Sequence, residues 1–148
     1  MRHFNSCGID FMYEFEDGWK PIHHQLNPTT ADFAEKTCET MAKLGVTKVY
    51  TAGIRNNRQM RGSTKTSTHS DGLKPQFQVW PDGTNGCRAM DIISVEFRPD
   101  GPIDGLDVSI PGDRKAMIAF CEMMGWTVLH KKPLKHGDHI HIQTELKQ

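Results

Sequence analysis

Apolar residues alternate at Ile9, Phe11, Tyr13 and Phe15, the period of a strand with one buried face. From Thr29 to Leu44 the period changes. Phe33, Thr37, Met41 and Leu44, flanked by Ala34, Cys38 and Ala42, recur at helical spacing. Thr29 or Thr30 is placed to cap that helix, and Gly45 to end it. The next run, VTKVYTAGIR (46–55), is β-branched and aromatic and predicts a strand. Residues 56–68 are polar and predict a loop. DIISVEF (91–97) predicts a second apolar strand, stopped by RPDGP, and Leu106 to Ile110 a short one. Pro111-Gly112-Asp113 introduces a second helix, with Asp113 as cap and Gly125 as stop. Its apolar face is Met117, Ile118, Cys121 and Met124. WTVLH and HIHIQ complete the pattern as two short strands. These elements predict one α+β domain over 1–148, a small antiparallel sheet with two main helices.

Composition narrows the function classes. Formal net charge is zero, so no global field favours nucleic acid or a membrane surface, and neither partner is expected. Apolar runs are too short to span a bilayer, and the first twenty residues lack the apolar stretch of a signal peptide. Cys7, Cys38, Cys87 and Cys121 are widely spaced and form no CxxC pair. That argues against a thiolate zinc site and for free thiols in a reducing compartment.

Of eight histidines, five follow Gly62 and four of those follow Leu129. In HIHIQ, strand alternation puts His139 and His141 on one face and Ile140 and Ile142 on the other. Two such imidazoles can converge on a metal, or be half-exposed strand histidines. Asp91 stands between Met90 and Ile92-Ile93 in a strand expected to be buried. An unpaired buried carboxylate is costly. It can cap a turn, meet an arginine or be neutralised by a divalent ion. Imidazole and carboxylate ligands suit zinc, and a catalytic zinc keeps three protein ligands plus water. His69, Asp91 and one C-terminal histidine would make such a set. His23 and His24, adjacent in an extended segment, point to opposite faces and are expected at the surface. His130 and His136 are expected near the site or in solvent, and Lys131, Lys132 and Lys135 in a solvated turn. Trp19, Trp80 and Trp126 are expected in the core or at its rim.

Residues 67–72 read STHSDG and residues 88–92 read RAMDI. With residues 73–87 left out, the joined text resembles the SxHxxGxAxD signature of the lysostaphin, D-Ala-D-Ala peptidase and sonic hedgehog zinc fold. TAGIR resembles the SGYR strand of that family, and DHIH its C-terminal ending. The likeness covers roughly residues 29–143; the first 28 match no part of it. The intervening LKPQFQVWPDGTNGC (73–87) carries turn signals at Pro81-Asp82-Gly83 and Asn85-Gly86, and PQFQVW alternates like a strand. It predicts a hairpin beside the metal that shapes the substrate cleft.

The resemblance implies one zinc per chain held by His69, Asp91 and His141. Asp71 is a nearby rival, but AMDI matches the family's ligand context and selects Asp91. Asp138, three residues before His141, takes the position of the acidic general base. His139 takes that of the group stabilising the oxyanion. Arg55 would hold a substrate carboxylate or carbonyl, and Ser67 would hydrogen-bond the peptide. The implied activity is a zinc metallopeptidase acting on peptidoglycan peptides, as carboxypeptidase or endopeptidase. A monomer is expected, cytoplasmic in the producing cell, or released at lysis or virion-associated if phage-encoded. Two other readings stand beside this one. One is a non-catalytic zinc-binding module of the same fold. The other is a metal-free domain with structural histidines.

Overall fold

The computed structural model describes residues 2–52, 87–100, 114–129 and 139–144. In chain order its elements are β1 (Arg2–His3), β2 (Asp10–Phe15), β3 (Gly18–Pro21), β4 (Gln25–Leu26), α1 (Pro28–Lys43) and β5 (Val46–Ala52). β6 (Ala89–Phe97), α2 (Arg114–Met123), β7 (Thr127–Leu129) and β8 (Ile140–Gln143) follow. The class is α+β, with two helices among the described residues. Six strands form one sheet in the order β3-β2-β5-β6-β8-β7, and β1 pairs with β4 separately.

The sheet is mixed, where the sequence suggested an antiparallel one. Four of its five pairings are antiparallel, but β2 runs parallel to β5, with Phe11 opposite Val49 and Tyr13 opposite Thr51. Parallel neighbours need a long crossover, and α1 supplies it. Residues 9–26 therefore belong to the main body of the domain. Ile9, Phe11 and Leu26 lie in the same apolar core as Val49, Met90, Ile92, Ile140 and Ile142.

The cap of α1 is Asn27, one turn signal earlier than Thr29 or Thr30. Its side-chain oxygen accepts from the Thr29 amide at 3.0 Å. Pro28 follows at the first turn, where its missing N–H costs nothing. Thr30 is instead buried, its hydroxyl 2.6 Å from that of Thr144. The expected stripe holds: Ala31, Ala34, Thr37, Cys38 and Met41 are all buried. Gly45, at φ 89°, turns the chain into β5, a conformation that side chains disfavour.

In α2 the buried residues are Met117, Phe120 and Cys121. Phe120 is the centre of that face, and Ile118 and Met124 are only partly buried at its margin. Trp126 ties the two helices together. Its ring meets Phe33 edge-on at 5.8 Å, and its Nε1–H donates to Thr37 Oγ1 at 2.8 Å. Residues 53–86, 101–113 and 130–138 lie outside the described residues. So do the predicted hairpin apart from Cys87, the strand at 106–110, the Asp113 cap and Trp80.

One irregularity decides where the site forms. Along β5 and β6, Tyr50 faces Ser94 but Thr51 faces Ile92, so Ile93 is an extra residue in β6. Strict alternation inward from Val95, which faces the core, would turn Asp91 into the core as well. The bulge absorbs one residue. Ile92 then faces the core at 2% exposure, Ile93 is exposed, and Asp91 comes out on the other face beside Ala52. Bulges commonly re-aim a side chain in this way.

Candidate metal centre

Asp91 and His141 are direct cross-strand partners in the antiparallel pairing of β6 with β8. Side chains so placed share one face and lie close together. Here His141 donates from Nδ1 to Asp91 Oδ1 at 2.8 Å. His139 stands just before β8, on the same face, with Nε2 at 3.4 Å from Asp91 Oδ2. One carboxylate thus meets two imidazoles. All three side chains are nearly buried, at 10%, 16% and 14% exposure for Asp91, His141 and His139. Ile140 and Ile142 point the other way into the core, which fixes the register. At the N-terminus of α2, Arg114 Nη1 donates to the His139 carbonyl at 3.2 Å and holds that backbone in place.

His141 has a second partner that the sequence reading passed over. Its Nε2 lies 2.8 Å from Gln143 Oε1. The signal was available, since Gln143 follows His141 by two and so shares its strand face. The ring thus has an oxygen facing each of its two nitrogens. Burial pulls the His141 pKa down, but the hydrogen bonds with Asp91 and Gln143, helped by the Asp91 charge, outweigh it and raise the net value.

That shift sets a pH dependence for the metal-free protein. A raised folded value means that protonation favours the fold. The contribution is whole below the unfolded value of about 6.5. It is lost as pH rises through the higher folded one. In chelator, the urea midpoint of the wild type should exceed that of His141→Gln at acid pH, and the gap should close on going alkaline. A gap that widened with pH would contradict the assignment.

The donor chemistry fits zinc. A buried carboxylate and an imidazole nitrogen face each other directly, and both belong to the ligand types zinc prefers. Two of the three residues expected as ligands, Asp91 and His141, are brought together. Among the described residues no group of three His, Cys, Asp or Glu side chains is arranged to hold an ion. His69, the third expected ligand, lies outside the described residues, as do its rival Asp71 and also Asp138, Arg55 and Ser67.

Elsewhere the expectations divide. His23 is exposed as expected, but His24 is buried at 4% exposure. The chain enters β4 there, and alternation turns His24 toward Phe4 and Phe11, whose rings lie 6.3 and 6.1 Å away. Trp126 lies in the core and Trp19 at the rim, edge-on to Tyr50 at 5.1 Å. None of the four cysteines is in a disulfide, and burial pushes the Cys38 and Cys121 thiols up to about 12, which leaves them protonated and unreactive. No described helix is long and apolar enough to cross a membrane.

Comparison with protein-family models, curated proteins and solved structures returns no match for this chain.

Proposed function

We propose that this chain is a zinc-dependent peptidase that hydrolyses peptide bonds of bacterial peptidoglycan, with His69, Asp91 and His141 as ligands. The observation that carries the reading is the Asp91–His141 pair, a nearly buried carboxylate and imidazole in direct cross-strand register. It lies where the resemblance of STHSDG, RAMDI and DHIH to the hedgehog and D-Ala-D-Ala peptidase fold asks for two ligands. Bound zinc supplies a Lewis acid that polarises the scissile carbonyl and makes water nucleophilic near neutral pH. The chain's own residues do the rest. Asp138 accepts the proton of the attacking water. His139 donates to the oxyanion that develops on the substrate. Arg55 pairs with a substrate carboxylate or carbonyl, and Ser67 hydrogen-bonds the peptide. The protein acts as a monomer. Release at lysis or carriage on a virion would bring it to its polymer.

A second reading has one observation in its favour. His139 Nε2 is turned toward Asp91 at 3.4 Å, an imidazole engaged with the ligand carboxylate and not with open space. That arrangement suits a zinc module that binds without turnover.

The test is a paired measurement on protein never exposed to chelator. About one zinc per chain is expected, as in an open site of three protein ligands plus water. Mass spectrometry of digested peptidoglycan should find cleaved stem peptides, lost with chelator and restored by zinc. Zinc without cleavage supports the second reading. Absence of divalent metal, with melting unmoved by added zinc, would sink both.

A further inference from the structure

We infer that Gln143 is a positioning residue that selects Nδ1 of His141 as the metal-binding nitrogen; this rests on the zinc reading above. A neutral imidazole has one lone pair to give and one N–H to donate. In His141 the two nitrogens face different groups. Nδ1 points at Asp91, its fellow ligand, at 2.8 Å, and Nε2 points at Gln143 Oε1, also at 2.8 Å. A zinc ion shared by Asp91 and His141 must take the place of the proton on Nδ1. The remaining proton then sits on Nε2, where the Gln143 oxygen accepts it. Metal-ligating histidines are commonly oriented by a partner at the far nitrogen, and its loss typically costs about 10–100-fold in metal affinity.

The local structure makes Gln143 fit for this task. It lies in β8, between β6 and β7, with Ala89 opposite on one side and Thr127 on the other. Its backbone is fixed on both edges, so its side chain reaches back along the strand to the ring two residues before it. The same pairing holds His141 between Asp91 and Leu129. Ring and amide are therefore held by one stretch of backbone, and the amide can act as a stop against rotation about χ2.

Gln143→Leu keeps the shape but offers no acceptor, and Gln143→Glu keeps an acceptor. Zinc affinity, measured by competition with a chromophoric chelator, should fall about 10–100-fold in Gln143→Leu. It should stay within a few-fold of wild type in Gln143→Glu. Metal-free Gln143→Leu should still melt cooperatively and lose no more than about one hydrogen bond's worth of stability, and the recovery of zinc affinity in Gln143→Glu separates positioning from a general structural role. A second measurement needs no variant. In ¹⁵N-labelled wild type loaded with ¹¹³Cd, metal coupling should appear at Nδ1 of His141, with a slowly exchanging proton on Nε2. Coupling through Nε2, or equal zinc affinity in wild type and Gln143→Leu, overturns this assignment and leaves the zinc reading standing. Failure of the wild type to take up either metal overturns both.

Discussion

Asp91→Ala should empty the metal site and abolish hydrolysis together. Zinc should fall from about one per chain towards none, and no amount of added enzyme should restore turnover. The reason is geometric. Asp91 is the only carboxylate among the described residues that meets both His141 and His139. Its loss would leave the proposed ligand set of His69, Asp91 and His141 without its carboxylate. On the proposed zinc site, bound metal would stabilise the folded chain by about 2.7 kcal/mol where free zinc stands at a hundred times its dissociation constant, and that gain should go as well. The metal-free protein should change in a second way. Without Asp91, burial acts on His141 against a weaker opposition, so its pKa should fall. Elemental analysis, melting with and without zinc, and an NMR titration of His141 read these outcomes. Wild-type zinc content in Asp91→Ala would remove Asp91 from the ligand set.

Asp138→Asn should do the opposite to metal and the same to rate. A general base contributes about 10²–10⁴ to turnover, and that factor should be lost while zinc stays bound. The change is nearly isosteric, so folding should hardly move. Asp138 directly precedes His139, whose carbonyl is tied to Arg114. Zinc stoichiometry and peptide hydrolysis, measured side by side for wild type and variant, separate base from ligand. Full activity in the variant would exclude Asp138 from the chemistry, and zinc loss would make it a ligand.

Much of this was legible in the chain because each helix and strand has one apolar face. The stripe from Ala34 to Met41 and the alternation of HIHIQ translate directly into burial. What alternation could not supply is its own interruption. Counting back from Val95, Asp91 falls in the core; counting forward from Met90, it falls outside. Only the pairing with β5 decides, because the extra residue at Ile93 is recognisable by its neighbours and not by its own side chain. The parallel pairing of β2 was hidden for a similar reason. An alternating pattern tells which face of a strand is buried but not which strand lies beside it. Phe120 was passed over beside Cys121, although it is wholly buried, and Asn27 because the Thr-Thr pair after Pro28 drew the cap forward. His24 looked polar and proved to be packing.

The parallel neighbour of β5 bears on how the protein can be shortened. The family resemblance begins near residue 29, so a trimmed chain starting there would look complete. It would instead strip β2 from β5 and uncover the whole hydrogen-bonding margin from Lys48 to Thr51, together with the apolar surface that Ile9, Phe11 and Leu26 had sealed. An open, β-branched margin of that kind recruits strands from other molecules. The trimmed protein would self-associate through β5, one strand away from Asp91, and its insolubility would say nothing about the chemistry of the site.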